Sequence, residues 1–539
     1  MVDKIEAVEL SLLWNRLIAI VEDQAQTLIR IAFSTTVREA GDLSAGVFDT
    51  RGRMLAQAVT GTPGHVNAMA ASISRFLQKY PLDCLREGDS LVTNDPWDGT
   101  GHLNDFTVVT PAYLNGKVVG LFASTSHIAD VGGLGFGTDA NEVFEEGLCV
   151  PIQKLFEAGK ANETLLNIIK ANVRDPVAAE GDLHSLTTCN EVGIARLVET
   201  MMEFNLTSLE EIGEIIIENS RTAMVREIEK LPSGAYSSSM RIDGYNDPVD
   251  LTCVLSIADG KITIDFKGTS LQSAYGINVP LTYTQAYASF GARCVIGNEI
   301  PNNAGSLGVI EVSAPSGSIL NAQRPAAVSA RHIIGQMLPD LVLGALSQVI
   351  PEKVPAEGAS CLFLPVLRGK NFIINPFYTG GMGARISADG LSCTAFPSGV
   401  RNTPIEVNET SAPIIMWRKE YATDSGGVGK FRGGAGQVME FGHSEGEAFT
   451  VSKMFDRINH PARGRQGGGP GGRGAVSLAS GKVLSGMGRD VVPADDRLVL
   501  QTPGGGGVGD SMLRSREAVE RDIKSGLVSP AAAKKFYRT

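Results

Sequence analysis

The sequence predicts an α+β fold with more than one domain, and three observations support this prediction. The chain has 539 residues, which is more than one hydrophobic core usually holds. Apolar residues recur at helical spacing over residues 5–33, whereas the patterns after residue 231 are typical of β-strands. Many of the 62 glycines lie in the C-terminal half, where short strands between glycine clusters are expected.

We expect three domains. Residues 1–230 form an N-terminal α+β domain, residues 231–330 a β meander with some helix, and residues 331–539 a glycine-rich mixed domain with a C-terminal helix. The first boundary rests on the change from helical to strand patterns near Leu231-Pro232.

The individual elements follow from periodicity and turn residues. After the helix over 5–33, further helices are expected over 67–79, 165–173, 183–204, 208–230, 282–296, 333–350, 515–525 and from 530. Pro339 should kink or split the helix over 333–350 because proline lacks the N–H that the helix needs. Strands are expected on both sides of a turn over 49–52, and over 235–242, 249–257 and 261–266.

Composition excludes several classes of function. The net charge of −11 and the aromatic content of 6% disfavour a nucleic-acid partner, which needs clustered Lys and Arg and stacking side chains. No apolar run approaches the roughly 20 residues that span a bilayer. The acidic N-terminal sequence differs from a signal peptide, and the 7 cysteines form no CxxC pair. We therefore expect a cytoplasmic protein.

The most informative stretch is residues 94–130, which should fold back at Asn115-Gly116. This dipeptide lies between two runs rich in β-branched and aromatic residues, a strong signal for a two-residue hairpin. If Leu114 pairs with Lys117, an unbroken register sets His127 opposite Asn104, with His102 one diagonal step away.

The two ends of this hairpin predict a metal site. His102 and Asp105 precede the first strand at a spacing of three, and His127 and Asp130 repeat that spacing after the second. Strict pleating sets Asp105 on the opposite face from His102, so we expect a bulge near Asn104 to re-aim it. Mixed imidazole and carboxylate ligands suit Zn²⁺, Mn²⁺ or Fe²⁺. The alternative is that these polar residues only cap the strand ends.

Other candidates stay open from the residues alone. Glu39 and Asp42 lie at the junction between the first helix and the first strand, where either solvation or function would suit them. His65, on a turn-rich loop, is either a ligand or a neighbour of a helix cap. Ser444 lies in a GxSxG string, but the next residues predict a strand instead of the helix that a nucleophile elbow needs, so we expect a hairpin turn. No phosphate-binding loop is present in the sequence.

Further motifs carry a resemblance to a known family. They are REAGDLS with VFD (Arg38 to Asp49), NDPWDGTGHLND, SHIADVGG, EEGLCVP, NVRDP with GDLH, IPNNAG (Ile300 to Gly305), RNTPIEVNE (Arg401 to Glu409) and TPGGGGVGD. They span nearly the whole chain in order. With them, the sequence resembles the B-type subunits of the hydantoinase and oxoprolinase family, to which caprolactamase and the acetone and acetophenone carboxylases are related.

The resemblance implies both a ligand set and a partner. It assigns the metal, Zn²⁺ or Mn²⁺, to Asp42, His102, Asp105 and His127, and gives Asp130 an orienting role. Glu39 and Glu142 become candidates for orienting water or the metal ligands. Ile128 departs from the family pattern, which often has a histidine or an aromatic residue there. An A-type subunit is expected to bind ATP and Mg²⁺, in an assembly expected to be a heterotetramer.

The expected function is therefore ATP-dependent hydrolysis of a cyclic amide such as a hydantoin, a lactam or oxoproline. The partner would phosphorylate the carbonyl oxygen, and water activated by the metal would open the ring. Two alternatives remain open: a subunit of an ATP-dependent ketone carboxylase, and a subunit in which the metal has only a structural role.

Overall fold

The structure, a computed structural model, describes residues 7–538, with side-chain surroundings from residue 9 onward. Ile5, the first apolar residue of the expected N-terminal helix, lies outside the described residues. The helices are α1 Ala7–Ile31, α2 Thr35–Arg38, α3 Pro63–Lys79, α4 Val143–Glu146, α5 Glu163–Asn172, α6 Pro176–Glu203, α7 Glu210–Glu229, α8 Leu281–Arg293, α9 Ala304–Leu307, α10 His332–Gly335, α11 Leu338–Leu346, α12 Ile405–Ser411, α13 Arg516–Lys524 and α14 Pro530–Phe536. Short 3₁₀ turns cover Leu82–Cys84 and Ser511–Leu513.

The strands fall into four sheets. They are β1 Leu43–Phe48, β2 Met54–Gln57, β3 Ser90–Thr93, β4 Asp105–Leu114, β5 Lys117–His127, β6 Gln153–Glu157, β7 Lys160–Ala161, β8 Gly234–Ile242, β9 Val249–Ala258, β10 Lys261–Asp265, β11 Ile310–Ser313, β12 Val366–Arg368, β13 Ile373–Ile374, β14 Ile414–Tyr421, β15 Gln437–His443, β16 Phe449–Met454, β17 Ala475–Leu478, β18 Met487–Val492 and β19 Leu498–Gln501. The predicted α+β class is confirmed.

A seven-stranded sheet organises the N-terminal part, in the order β2-β1-β5-β4-β3-β6-β7. Helices α1 and α6 pack on one face and α3 packs on the other. Because both faces are covered, β1 is buried at every position and β4 at all but Tyr113. This sheet holds the predicted hairpin, β4–β5, at its centre.

The predicted meander is confirmed as the sheet β11-β10-β9-β8, in which β10 and β11 are parallel. Burial alternates along β9, so one face meets the core and the other meets solvent. Helix α11 packs against β8, β9 and α8. The pattern expected as one helix over 333–350 is divided into α10 and α11, with the break just before Pro339, as proline chemistry predicts.

The C-terminal strands form two further sheets, β13-β12-β16-β18 and β14-β15-β19-β17, with a shared apolar core. The expected hairpin at Ser444 is wrong in one respect. A turn does follow β15, but β15 and β16 belong to different sheets, since β15 pairs with β14 and β19. A strand follows the serine, so the nucleophile elbow is absent at this position.

The glycine clusters form a layer of backbones in close contact. Gly505 donates a hydrogen bond to the carbonyl of Gly434 (2.9 Å) and Gly427 donates to Gly505 (2.8 Å). A Cβ atom on Gly505 would lie 2.1 Å from the carbonyl oxygen of Met382. Glycine is needed there because any side chain would displace a neighbouring backbone. No helix within the described range is long and apolar enough to cross a membrane.

Candidate metal centre

The register of the β4–β5 hairpin brings Asp105 and His127 together. Leu114 pairs with Lys117 as predicted, but the pairing shifts between Ala112 and Tyr113, which leaves Val119 as an extra residue in β5. His127 therefore pairs with Asp105 and not with Asn104. The expected bulge exists, but it lies near the turn end and not near Asn104. Its effect is to put the carboxylate and the imidazole on one face.

Strand β1 adds Asp42 from a distant part of the sequence. Leu43 pairs with Ser126 at the end of β5, and the backbone N–H of His127 donates to the carbonyl of Asp42 (3.3 Å). The Asp42 side chain lines the same cavity as His127. The junction after the first helix thus lies beside the open end of the hairpin.

Three of the four predicted ligands form a compact cluster. One ligand atom each from His102, Asp105 and His127 lies within 4.8 Å of the others, and all three side chains are buried. Asp105 Oδ1 is 2.6 Å from His102 Nε2 and 3.2 Å from His127 Nδ1. Asp42 is not part of this cluster, and its Oδ1 lies 3.5 Å from Nδ1 of His65.

The second oxygen of Asp105 is surrounded by donors. Oδ2 accepts from Thr100 Oγ1 (3.1 Å), lies 2.8 Å from His65 Nε2 and pairs with the Arg331 guanidinium. Burial raises the pKa of Asp105, but His102, His65 and Arg331 outweigh it, so the pKa lies well below its usual range. The carboxylate is therefore charged at neutral pH.

His102 faces acceptors on both sides of its ring. Nδ1 is 2.9 Å from the carbonyl oxygen of Ser329, and Nε2 is 2.6 Å from Asp105 Oδ1. A neutral imidazole has a single N–H and satisfies only one of these contacts. Burial, together with Arg331, lowers the pKa of His102 to about 3, which disfavours a second proton. If His102 and Asp105 held a cation, the mismatch would be removed, since Nε2 and Oδ1 would both act as electron-pair donors.

His65 is a neighbour of a helix cap, and its ring also lies next to the candidate ligands, although it is not part of the compact cluster. Its backbone N–H donates to Thr62 at the cap of α3 (3.4 Å), while its ring lies between Asp42 and Asp105. Burial lowers the pKa of His65, but the two carboxylates outweigh burial and raise it above its ordinary value.

A buried glutamate holds the segment that carries Ser329 and Arg331. Glu146 Oε1 accepts from the backbone N–H groups of Val328 and Ser329, both at 2.6 Å. The Ser329 carbonyl contacts His102, so Glu146 acts on the site through one peptide unit. Arg331 extends over the Tyr283 ring at 3.9 Å and donates to the Thr100 carbonyl (2.9 Å).

A cavity of about 30 Å³ lies beside the cluster and has room for about two water molecules. Its lining combines a polar side with an apolar side: Asp42, Thr62, His65, His102, His127, Phe136, Tyr283, Tyr287, Arg331, His332, Gln336, Leu362, Leu364, Phe377, Ser398 and Val400. Among residues 9–538, the buried His65 Nδ1, His127 Nε2, Ser398 Oγ and both ring nitrogens of His332 have no hydrogen-bond partner. Such groups cost about 1–3 kcal/mol each unless a ligand, ion or water satisfies them.

The other predicted residues lie away from this cavity. Glu39 is half-buried at the end of α2, and Glu142 is exposed at the start of α4. Neither is among the cavity-lining residues of the described chain. Asp130 pairs with Arg174, so it anchors the segment after β5. Their predicted roles in orienting water or ligands stay predictions.

Sequence reasoning missed Arg331, His332 and Glu146 as parts of the site. Arg331 and His332 lie next to the expected helix over 333–350, and Glu146 follows two other acids in an acidic run. Glu146 belongs to the EEGLCVP motif, which could have pointed to it, whereas Arg331 and His332 lie outside the quoted motifs.

The donor set fits a divalent metal. Two imidazoles and one or two carboxylates are ligands that Zn²⁺ and Mn²⁺ accept, and the Ser329 carbonyl contacts His102 as outer partners of metal ligands do. The unpartnered, buried Nε2 of His127 within the described chain agrees with this.

Comparisons with known proteins find similarity over nearly the whole chain. The model of the family described as hydantoinase B/oxoprolinase matches residues 6–511. The putative B-type subunit of a D-/L-hydantoinase from Pseudomonas sp. strain NS671 is 26% identical over 98% of this chain and 94% of its own length.

Two solved structures share the fold. The nucleotide-free structure of acetone carboxylase has a TM-score of 0.87 at 20% identity and covers 99% of this chain and 79% of its own. The ATP-dependent caprolactamase of Pseudomonas jessenii has a TM-score of 0.86 at 23% identity, with coverage of 99% and 96%. On the family match, the chain belongs to the hydantoinase B/oxoprolinase family.

Proposed function

We propose that this protein is the metal-holding, B-type subunit of an ATP-dependent hydrolase of cyclic amides. The observation that carries the proposal is the His102 ring, whose two nitrogens both face acceptors in a buried cluster with Asp105 and His127. The family, a relative described as one subunit of a hydantoinase and the fold of caprolactamase support the reaction class.

In this proposal, Asp42, His102, Asp105 and His127 hold one divalent ion, Zn²⁺ or Mn²⁺. When bound, the ion would polarise a carbonyl group and lower the pKa of water. The ring of His102 is held by Ser329, and Asp105 is held by Thr100 and Arg331, so these ligands are pre-positioned. Phe136 and the apolar side of the cavity keep bulk water away.

The activation step is assigned to a partner. An A-type subunit that binds ATP and Mg²⁺ would phosphorylate the carbonyl oxygen of the amide, which makes the carbon a better electrophile and the oxygen part of a leaving group. The hydantoinase relative is itself named as one subunit of its enzyme, which supports a partner. A heterotetramer of two chains of each type is part of the proposal.

A two-part experiment tests the site and the reaction. The purified chain should contain about one Zn²⁺ or Mn²⁺ by elemental analysis, and His102→Gln and Asp42→Asn should lose it. The chain with its A-type partner should open hydantoin or 2-pyrrolidinone only with ATP. Asp89→Asn is a matched carboxylate control, because Asp89 is buried directly before β3 of the same sheet but pairs with Lys154. Metal content and activity that survive His102→Gln would contradict the assigned site.

The second candidate is the carboxylase branch, because the chain shares the fold of acetone carboxylase as closely as that of caprolactamase. It predicts consumption of bicarbonate and ATP with a ketone such as acetone. Bicarbonate-dependent turnover of acetone, with hydantoin and 2-pyrrolidinone left unchanged, would decide for it.

A further inference from the structure

His332 is a buried histidine that the proposed metal site does not use. His332 is the first residue of α10 and lines the cavity beside His102 and His127, and it is only 5% exposed. Neither of its ring nitrogens has a hydrogen-bond partner within the part of the chain that the structure describes. The fold therefore buries a polar ring without hydrogen bonds at a position where an apolar side chain would avoid that cost.

Ser398 presents the same feature from another segment. Its residue is 2% exposed, its hydroxyl lines the same cavity, and that hydroxyl finds no partner in the described range 9–538. Two separate segments therefore present unmet polar groups to one cavity. If the unsatisfied groups of His332 and Ser398 were unrelated packing defects, we would not expect both to face the same small cavity.

His332 lines the same cavity as the candidate metal ligands but is not one of their compact cluster. The Phe136 ring contacts all three histidines, with its centroid 5.6 Å from His332, 5.5 Å from His102 and 5.0 Å from His127. The compact ligand cluster comprises His102, Asp105 and His127 and does not include His332. Arg331 pairs with Asp105 and so fixes the backbone position from which His332 extends.

We propose that His332 and Ser398 are binding residues that hydrogen-bond the amide group of a substrate inserted into this cavity next to the metal site. After one carbonyl oxygen has been phosphorylated, a hydantoin still presents its second C=O as an acceptor and an N–H as a donor, and a neutral imidazole and a hydroxyl each offer a donor and an acceptor. The cavity of about 30 Å³ admits one such functional group, with the rest of the ring extending toward the opening. This inference rests on the proposed function.

The substitutions His332→Leu and Ser398→Ala test it in the metal-loaded chain with its A-type partner. Each should raise the KM for hydantoin about tenfold, the effect of losing one well-placed hydrogen bond, and should leave metal content unchanged. His332→Gln, which keeps a donor and an acceptor, should restore part of the loss. Ser72→Ala is the control, because Ser72 is equally buried but donates to Met69 in the middle of α3 (2.7 Å).

A binding measurement separates this inference from the proposed reaction. Hydantoin and 2-pyrrolidinone are titrated into the metal-loaded full-length chain by calorimetry. If the wild type binds either probe, and His332→Leu weakens binding about tenfold with metal retained, the inference holds even when no turnover is found. Unchanged binding and KM in both variants overturn it, as does loss of metal in His332→Leu, which would make His332 a ligand. A wild type that binds neither probe overturns it as well.

Discussion

At the scale of single residues, Glu146 is connected to the candidate site without lining the cavity. Its Oε1 atom accepts from the peptide N–H groups of Val328 and Ser329, and the carbonyl oxygen of Ser329 contacts the ring of His102. Outer partners of metal ligands typically change metal affinity by about 10–100-fold when removed. Glu146 differs from the predicted Glu142 by a single helical turn.

The first prediction concerns metal affinity. Glu146→Ala should weaken binding of Zn²⁺ about tenfold, because the segment 328–329 loses its acceptor and His102 loses a fixed partner. Competition with a chelator measures this affinity. Glu146→Gln keeps a carbonyl oxygen as acceptor and should lie close to the wild type. Equal affinities in Glu146→Ala and the wild type would contradict the role of Glu146.

The second prediction concerns pH. Burial raises the pKa of Glu146 from 4.5 to about 8, and the backbone hydrogen bonds only partly oppose this. Between these two values the folded chain retains a proton that the unfolded chain releases, so stability falls as pH rises through this window. Relative to wild type, Glu146→Gln should therefore gain free energy of unfolding as pH rises from 4.5 to about 8.

Urea unfolding with a chelator present measures this difference. The chelator removes the contribution of metal binding, which has its own pH dependence. A difference between Glu146→Gln and wild type that stays constant with pH, or shrinks as pH rises, would show that Glu146 is not held in an environment that disfavours its charge.

At the scale of elements, the bulge at Val119 decides which residue faces His127. With the bulge, Asp105 pairs with His127, and without it the unbroken register would pair Asn104 there. A shift of one residue moves every side chain of a strand to the other face. The turn at Asn115-Gly116 therefore determines where the chain reverses, and the bulge at Val119 determines that Asp105 lies opposite His127.

The third prediction follows from that register. Deletion of Val119 should retain binding of the metal, because removal of the unpaired residue sets Gly120 directly after Val118 and leaves Asp105 paired with His127. Val119→Ala keeps the residue count and should retain the metal, at a cost of about 2 kcal/mol in stability from the lost methyl groups. Elemental analysis and urea unfolding of both variants are the measurements. Metal lost from the deletion variant would show that the site needs the bulge itself and not only the pairing of Asp105 with His127.

At the scale of the whole molecule, the C-terminal glycine layer connects distant segments by backbone contact. Glycine backbones from residues 380–383, 426–434, 464–472 and 503–508 hydrogen-bond across this layer. The neighbouring Glu357, whose carbonyl accepts from Gly506 (2.8 Å), pairs through its carboxylate with the buried Arg457 at 3.3 Å. Packing of this kind tolerates no side chain at the closest points.

The fourth prediction compares two glycines of this region. Gly505→Ala should lower the free energy of unfolding by about 3 kcal/mol, since the added Cβ would overlap the carbonyl of Met382. Gly358→Ala should have little effect, because its nearest atoms would lie 3.6 Å from the new Cβ. Thermal or urea unfolding of both variants measures the difference. Equal stabilities would mean that the layer adjusts, contrary to its close packing.

Much of the fold was predictable because local rules dominate it. Helical periodicity found α1, α3 and α5 to α8, Asn115-Gly116 found the central hairpin, and Pro339 marked the division between α10 and α11. The domain boundaries at residues 230 and 330 stay predictions.

The sequence by itself determined the α+β class, the family and a hairpin end with His102, Asp105 and His127 as candidate ligands. These depend on neighbours along the chain, on turn residues and on motifs that can be read in order. Only the tertiary structure decided that a bulge at Val119 aligns the cluster, that β1 brings Asp42 beside it, that Arg331 and His332 line the adjoining cavity, and that Glu146 holds the segment before them. The physical reason is distance along the chain: Arg331 and Asp105 are 226 residues apart, and no local pattern encodes a contact that only folding creates.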